Sequence, residues 1–181
     1  MPGGTAEMRR LLLMRHAKTE KDAPSGKDRD RRLDTRGEAE AVQMGEWLAA
    51  QRLLPDRALV STATRARQTW DRVSGGWPAV AAEFRDDLYM AETGDLLGII
   101  RAAAGEDPRA LMVLAHNPSL QEIALAMVGG GPARPREALL DNLPTAGVVV
   151  IDFPVDDWGD VAFRGGQLDR FVTPRQLRDA G

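Results

Sequence analysis

The 181-residue chain contains no cysteine. That absence excludes a disulfide framework, a thiolate zinc site and a cysteine nucleophile, and with the last it removes cysteine-dependent phosphatase chemistry. Histidine is scarce too, with two copies, and no His-x-x-x-His or similar metal-ligand spacing occurs. No apolar run has the length of a membrane span, and the opening Met1-Pro2-Gly3-Gly4-Thr5-Ala6-Glu7 lacks the apolar core of a secretion signal. The default location is therefore the cytoplasm. A formal net charge of −3 argues against a general nucleic-acid or anionic-membrane binder, so attraction for anions has to come from a local cluster of arginines. With 43% hydrophobic and 28% charged residues and no internal repeat, the composition fits one ordinary domain, expected over residues 9–181 behind a disordered leader of residues 1–8.

What is present is organised around the stretch Leu11 to Thr19. Leu11, Leu12, Leu13 and Met14 form an uninterrupted apolar run that reads as a strand buried on both faces, ending abruptly in Arg15 and His16. In open parallel sheets the carboxyl ends of the strands are where ligands bind. The second histidine has the same setting, because Leu111 to Ala115 is another apolar run and His116 follows it directly.

Between these runs the chain alternates strands and helices. Lys18 to Arg32 is charge-dense with Pro24 and Gly26 and reads as an exposed, solvated loop. Thr35 with Glu38 suggests a capping box opening a helix whose buried face is Ala41, Met44, Gly45 and Leu48. Ala58 to Ser61 reads as a strand, Thr62 to Thr69 as the turn into a helix, Val80 to Phe84 as a strand and Asp95 to Ala104 as a helix. Asn117 at N-cap and Pro118 at N1 predict a helix to about Val128, stopped by Gly129, Gly130 and Gly131. Gly147 to Phe153 is strongly β-forming, and Val161 to Phe163 with Leu168 to Val172 suggests short closing strands. The predicted fold is α/β, a three-layer sandwich with a mostly parallel sheet, helices on both faces and an antiparallel edge. The tryptophans Trp47, Trp70, Trp77 and Trp158 read as packing residues.

If the strand ends near residues 15, 61 and 116 are neighbours, Arg15, His16, Arg65 and His116 converge. Two guanidiniums there would recognise a tetrahedral dianion through paired hydrogen bonds, and the helix after His116 would add its positive end. A neutral imidazole beside them could attack phosphorus, and the arginines would disfavour its protonated form.

These residues carry a resemblance. Arg15-His16-Ala17, then Ser61, Arg65, Ala66, Gln68 and Thr69, then His116-Asn117-Pro118 are similar to the three motifs of the histidine phosphatase superfamily, and most to its small phosphohistidine phosphatase branch, the SixA-like group. Ala17 stands where the superfamily usually has glycine, Thr62 where proline is common, and Asp30 to Gly37 resembles a further stretch of the branch with Arg32 in place of proline. The resemblance spans residues 11 to about 153. It implies the phosphoglycerate mutase-like fold, no metal or other cofactor, and a phosphorylated substrate that includes histidine-phosphorylated protein. By it His16 is the phosphate-accepting nucleophile, Arg15 and Arg65 hold the phosphoryl oxygens, His116 stabilises the developing charge, and Arg31 and Asn117 are further candidates for binding substrate.

One departure concerns the general acid. Larger relatives carry glutamate in a Leu-x-Glu element, and here that place reads Leu88-Tyr89-Met90, with Asp86, Asp87 and Glu92 as nearby candidates. Phosphorylated imidazole leaves more easily than an alkoxide, so the missing acid leans toward phosphohistidine. A small-molecule phosphomonoesterase of the same superfamily, a metal-dependent hydrolase and a non-catalytic phosphoprotein-binding module are the alternatives.

Overall fold

A computed structural model describes residues 7–180, so residues 1–6 of the expected leader lie outside it. The first strand, β1 (Met8–Arg15), starts earlier than its apolar run suggests. Met8 and Arg9 extend it because both have partners across the sheet at Pro154 and Phe153. The Arg9 side chain, almost fully buried, is held by Asp107 at 3.0 Å and by the Asp156 carbonyl at 2.6 Å.

The order then runs α1 (Thr35–Ala50), β2 (Arg57–Ser61), α2 (Thr64–Ser74), β3 (Ala81–Arg85), α3 (Thr93–Arg101) and β4 (Ala110–Ala115). It continues through α4 (Ser119–Met127), β5 (Val128–Gly130), α5 (Ala133–Asp141), β6 (Val148–Pro154), β7 (Gly166–Val172) and α6 (Pro174–Ala180). The seven strands form one sheet in the order β3-β2-β4-β1-β6-β7-β5. The first four of these are mutually parallel, β6 is antiparallel to both neighbours, and β5 is parallel to β7. The predicted α/β sandwich with an antiparallel portion is the fold observed.

Alternation along β1 builds the two cores. Leu11 and Leu13 pack with Leu111, Val113 and residues of α3 and α4, whereas Leu12 and Met14 pack with Met112, Leu114 and residues of α1 and α2. All four β1 residues have no solvent exposure, which is why the strand reads as a continuous apolar run. Trp158 is fully buried on the first side, its indole N–H donating to the Pro108 carbonyl at 2.6 Å.

Several local expectations need correction. The N-cap of α1 is Asp34, whose carboxylate accepts from Gly37 N–H at 2.7 Å, and Thr35 is the first helical residue. A carboxylate at the positive end of a helix gains from the dipole as well as the hydrogen bond. Helix α4 begins at Ser119 with Pro118 at the cap position, and Asn117 reaches past it to accept from Gln121 N–H at 3.2 Å. Val161 to Phe163 is not a strand, because Val161 closes the 3-10 turn Trp158–Asp160. The glycines after α4 do stop it, but Val128–Gly130 then pairs with β7. A Cβ at Gly129 would overlap the Arg164 carbonyl, so the residue admits a close backbone approach there. Helix α5, which the sequence reading did not include, has Pro132 at its cap and Pro135 in its first turn, where proline is tolerated.

Gly45 lies where α1 meets α2. A Cβ there would overlap the Val73 carbonyl, and the Gly45 carbonyl accepts from the Trp77 indole at 2.9 Å. Gly98, inside α3, has nothing within 4 Å of its virtual Cβ. Gly45→Ala is therefore expected to lower stability by about 1–3 kcal/mol through overpacking, and Gly98→Ala to raise it by up to about 1 kcal/mol through helix propensity. Urea denaturation of both variants checks this, and equal effects would contradict the packing described.

Candidate active site

Strands β2, β4 and β1 are adjacent and parallel, with Val60 beside Leu114 and Arg15 beside Ala115. Their carboxyl ends therefore share one edge of the sheet. Ser61, His116, Arg15 and His16 leave from that edge, and Arg65 enters from the first turn of α2. The loop after β1 is tied down through the second motif. Thr69 accepts from Ala17 N–H at 2.9 Å while donating to the Arg65 carbonyl at 2.7 Å, and Gln68 accepts from Leu33 N–H at 2.8 Å.

His16 is 6% exposed, and its ring stands 5.2 Å from that of His116 between centroids. Its Nδ1 lies 2.8 Å from the Ala17 carbonyl. A carbonyl only accepts, so Nδ1 carries the ring proton and the neutral imidazole keeps its lone pair on Nε2. Burial, followed by the charges of His116, Arg65 and Arg15, pushes the His16 pKa down to about 3. The arginines act in the direction expected from sequence, but loss of water is the larger cause.

His116 is held at Nε2 by the Ser61 hydroxyl at 2.7 Å, and Ser61 also accepts from Ala63 N–H at 3.3 Å. The arrangement that strands no hydroxyl proton has Ser61 donating to Nε2, which leaves the ring proton of His116 on Nδ1. Burial, then Arg65, pushes the His116 pKa down to about 4.

Among the described residues, three buried side-chain polar atoms have no hydrogen-bond partner: Arg15 Nε, Arg65 Nε and His116 Nδ1. Unpaired buried donors cost about 1–3 kcal/mol each. All three belong to the predicted site, and the two guanidiniums are near enough that burial, then Arg65, lowers the pKa of Arg15. An anion bearing several acceptor oxygens is the ligand chemistry that such a cluster favours.

The other candidates sit one step further out. Arg31 donates to Asp28 at 2.9 Å and to Thr19 at 2.7 Å, so it steadies Asp28. Asn117 donates to the Leu143 carbonyl at 3.1 Å, the same oxygen that accepts from Arg15 Nη1 at 3.1 Å. Asp86 is bound by Thr62 and Arg29, and Asp87 by Nε and Nη2 of Arg85. Glu92 lines the cleft beside the site.

Sequence reasoning missed Asp28, Tyr89 and the Leu143 carbonyl. The Asp28 backbone and carboxylate accept from Arg65 at 2.9 and 3.1 Å, and the carboxylate also accepts from the Tyr89 hydroxyl at 2.7 Å. The Tyr89 hydrogen bond, then Arg31 and Arg65, lowers the Asp28 pKa to about 2. Tyr89 also stands edge-on to His116, 5.7 Å between centroids. The available signal was Asp28 three residues before Arg31, inside a loop dismissed as solvated. Leu143 acts through its backbone, and no side chain advertises it.

Two imidazoles and two guanidiniums are thus gathered at the carboxyl edge of the parallel strands of an α/β sheet, a setting that suits a phosphorylated ligand. The chain belongs to the histidine phosphatase superfamily (branch 1), whose family model matches residues 11–124. The uncharacterized protein Rv1276c of Mycobacterium tuberculosis is 37% identical over 165 residues, covering 90% of this chain and 100% of that one. Phosphohistidine phosphatase SixA of Escherichia coli is 30% identical over 110 residues, covering 60% of this chain and 67% of its own. A crystal structure from Agrobacterium tumefaciens, provisionally named a SixA phosphohistidine phosphatase, superposes with a TM-score of 0.77 at 31% identity, covering 92% of this chain and 98% of that one.

The two histidines make stability depend on pH. Their folded pKa values, about 3 for His16 and about 4 for His116, lie below the unfolded value of 6.5, so the unfolded chain binds protons first as pH falls. Their stabilising contribution is full above about pH 6.5 and is lost progressively toward pH 3 to 4. Neither ring is expected to titrate above about pH 5 by NMR. The urea midpoint should fall more steeply from pH 6.5 to 4 than in a His16→Gln/His116→Asn variant. A ring titrating near its ordinary value would contradict the buried site.

Proposed function

We propose that the chain hydrolyses phosphoryl groups through a phosphohistidine formed on His16, and that its substrate is phosphohistidine in a polypeptide. The observation that carries this is the set of three unpartnered buried nitrogens beside a neutral imidazole whose Nδ1 proton is already committed to Ala17. The lone pair on His16 Nε2 attacks phosphorus while Arg15 and Arg65 hold the non-bridging oxygens. His116, protonated on Nδ1, donates a further hydrogen bond as charge gathers on them. The bond from phosphorus to the departing ring breaks, and that ring, already protonated on its other nitrogen, leaves as neutral imidazole. Water then cleaves the His16 phosphoramidate, releasing inorganic phosphate and a proton to solvent and restoring the neutral ring.

Asn117 and Asp28 are assigned positioning roles. Asn117 steadies the Leu143 carbonyl that orients Arg15, and Asp28 fixes the terminal nitrogens of Arg65 so that Nε remains for the substrate. No metal enters any of these steps.

The carboxylates favour a substrate that leaves without help. Asp28 is held as an anion with a pKa of about 2. Hydrogen bonds from Thr62 and Arg29 lower Asp86, those from Arg85 lower Asp87, and neither side chain lines the cleft. Met90, at the place of the relatives' glutamate, is 82% exposed. An alkoxide needs a proton from a well-placed acid, whereas the imidazole of phosphohistidine is a far weaker base.

Quenching at neutral pH during turnover is expected to trap an acid-labile phosphoryl group on His16, and His16→Ala to abolish turnover. Rates across aryl phosphates of graded phenol pKa should fall steeply with leaving-group basicity, with glycerol phosphate cleaved poorly. A flat dependence, together with strong loss in Glu92→Gln, would point instead to a phosphomonoesterase with a working acid.

Arg65→Lys keeps the charge but loses the planar fork that spans Asp28 and the substrate. A loss of at least about tenfold in kcat/KM, roughly 1.4 kcal/mol, is expected. Chelators are expected to leave wild-type activity unchanged. Steady-state kinetics on an aryl phosphate measures both, and wild-type rates in the lysine variant would remove Arg65 from the mechanism.

A further inference from the structure

The cleft beside the site is larger than a phosphoryl group requires. It encloses about 630 Å³ and reaches the site at Arg65 and His116, with Tyr89, Met90, Asn117 and Pro118 among its walls. A volume of this order takes a whole ligand, so the carrier of the phosphoryl group has room inside it. The charges lining it are three carboxylates, Asp28, Glu92 and Glu122, against the single guanidinium of Arg65.

Asp28 is already matched by Arg65 and Arg31. The other two are not. Glu122 on α4 accepts only from the neutral Thr93 hydroxyl at 3.0 Å, and neither Glu92 nor Glu122 forms an ion pair among the described residues. Both belong to the cleft lining, one at the start of α3 and the other in the first turn of α4. The floor supplies the second observation. Arg65 and His116 are 6% and 7% exposed and each carries an unpartnered nitrogen, so a dianion is favoured deep in the site while cations are favoured at its mouth.

We infer that the cleft selects phosphorylated segments that place a lysine or arginine beside the phosphoryl carrier, and disfavours carriers with additional carboxylate or phosphate groups. This rests on the phosphatase reading above and specifies its substrate. The phosphoryl oxygens meet Arg15, Arg65 and His116. A basic residue flanking the phosphohistidine meets Glu92 or Glu122. An acidic flank meets two unneutralised carboxylates at short range, where like charges suppress binding. The selection acts through partly exposed charges, so it is screened by salt.

The test compares three peptides with one central phosphohistidine, flanked by lysines, alanines or glutamates, beside an aryl phosphate carrying no other charge. At low ionic strength kcat/KM is expected to be about tenfold higher for the lysine than for the glutamate peptide, with alanine between. The ratio should shrink to about twofold in roughly 0.5 M salt, and likewise in Glu92→Gln/Glu122→Gln. The single variants, each lowering the ratio partway, serve if the double variant does not fold. Equal rates for all three peptides in the wild type, or a preference for glutamate, would overturn the inference while leaving the phosphatase reading intact. Absence of turnover on the peptides and on the aryl phosphate alike would remove both.

Discussion

The structure depends on the burial of β1 on both faces and along both edges. Leu11 to Met14 have no exposure, β4 pairs with one edge and β6 with the other, and the ladder continues to Arg15. Such a strand has one tolerable register, since a shift by one residue would exchange the two apolar faces and draw Arg15 toward the core. The position of His16 follows from that constraint. Its N–H donates to the Ala115 carbonyl at 3.2 Å, and Arg15 N–H to the Gly147 carbonyl at 3.1 Å, so the pair is placed by backbone before any side-chain contact forms.

Against this rigid support the site itself is destabilising. Two guanidiniums and two imidazoles share a buried space in which Arg65 disfavours the charge of Arg15 and of both rings, and three of their nitrogens lack partners. Asp28 offsets part of the repulsion by accepting from Arg65, but it meets the terminal nitrogens and leaves Nε alone. The apolar layers on either side of β1 supply the stability that the site withholds.

Much of this was legible in the sequence because side chains announce it. Apolar runs ending in Arg15-His16 and His116 predicted both strands, and Ser61, Arg65, Gln68 and Thr69 carried the resemblance to the second motif. What stayed hidden works through backbone or through context. The Leu143 carbonyl has no residue-level signature. Asp28 and Tyr89 sit in stretches where an acidic residue or an aromatic has many ordinary explanations. The Asp34 cap was overlooked because Thr35 with Glu38 offers an equally good local pattern one residue later, and only the hydrogen bond to Gly37 decides between them. Arg31 and Asn117 were expected to bind substrate, and their hydrogen bonds lead to Asp28 and Leu143, a distinction that residue type does not carry.

Among the described strands, the central one precedes all the others in the chain. Leu12 finds its neighbours at Met112 on one side and Val150 on the other, so the most apolar segment leaves the ribosome long before either partner exists. At roughly 5–20 residues per second, that interval is on the order of ten seconds, during which an unpaired β-forming run is open to association with other chains. The charged stretch from Lys18 to Arg32 follows it closely, and flanking charge of this kind opposes such association. Because Arg15 waits for Leu143 and Gly147, the arginine is set in place only late in the growing polypeptide.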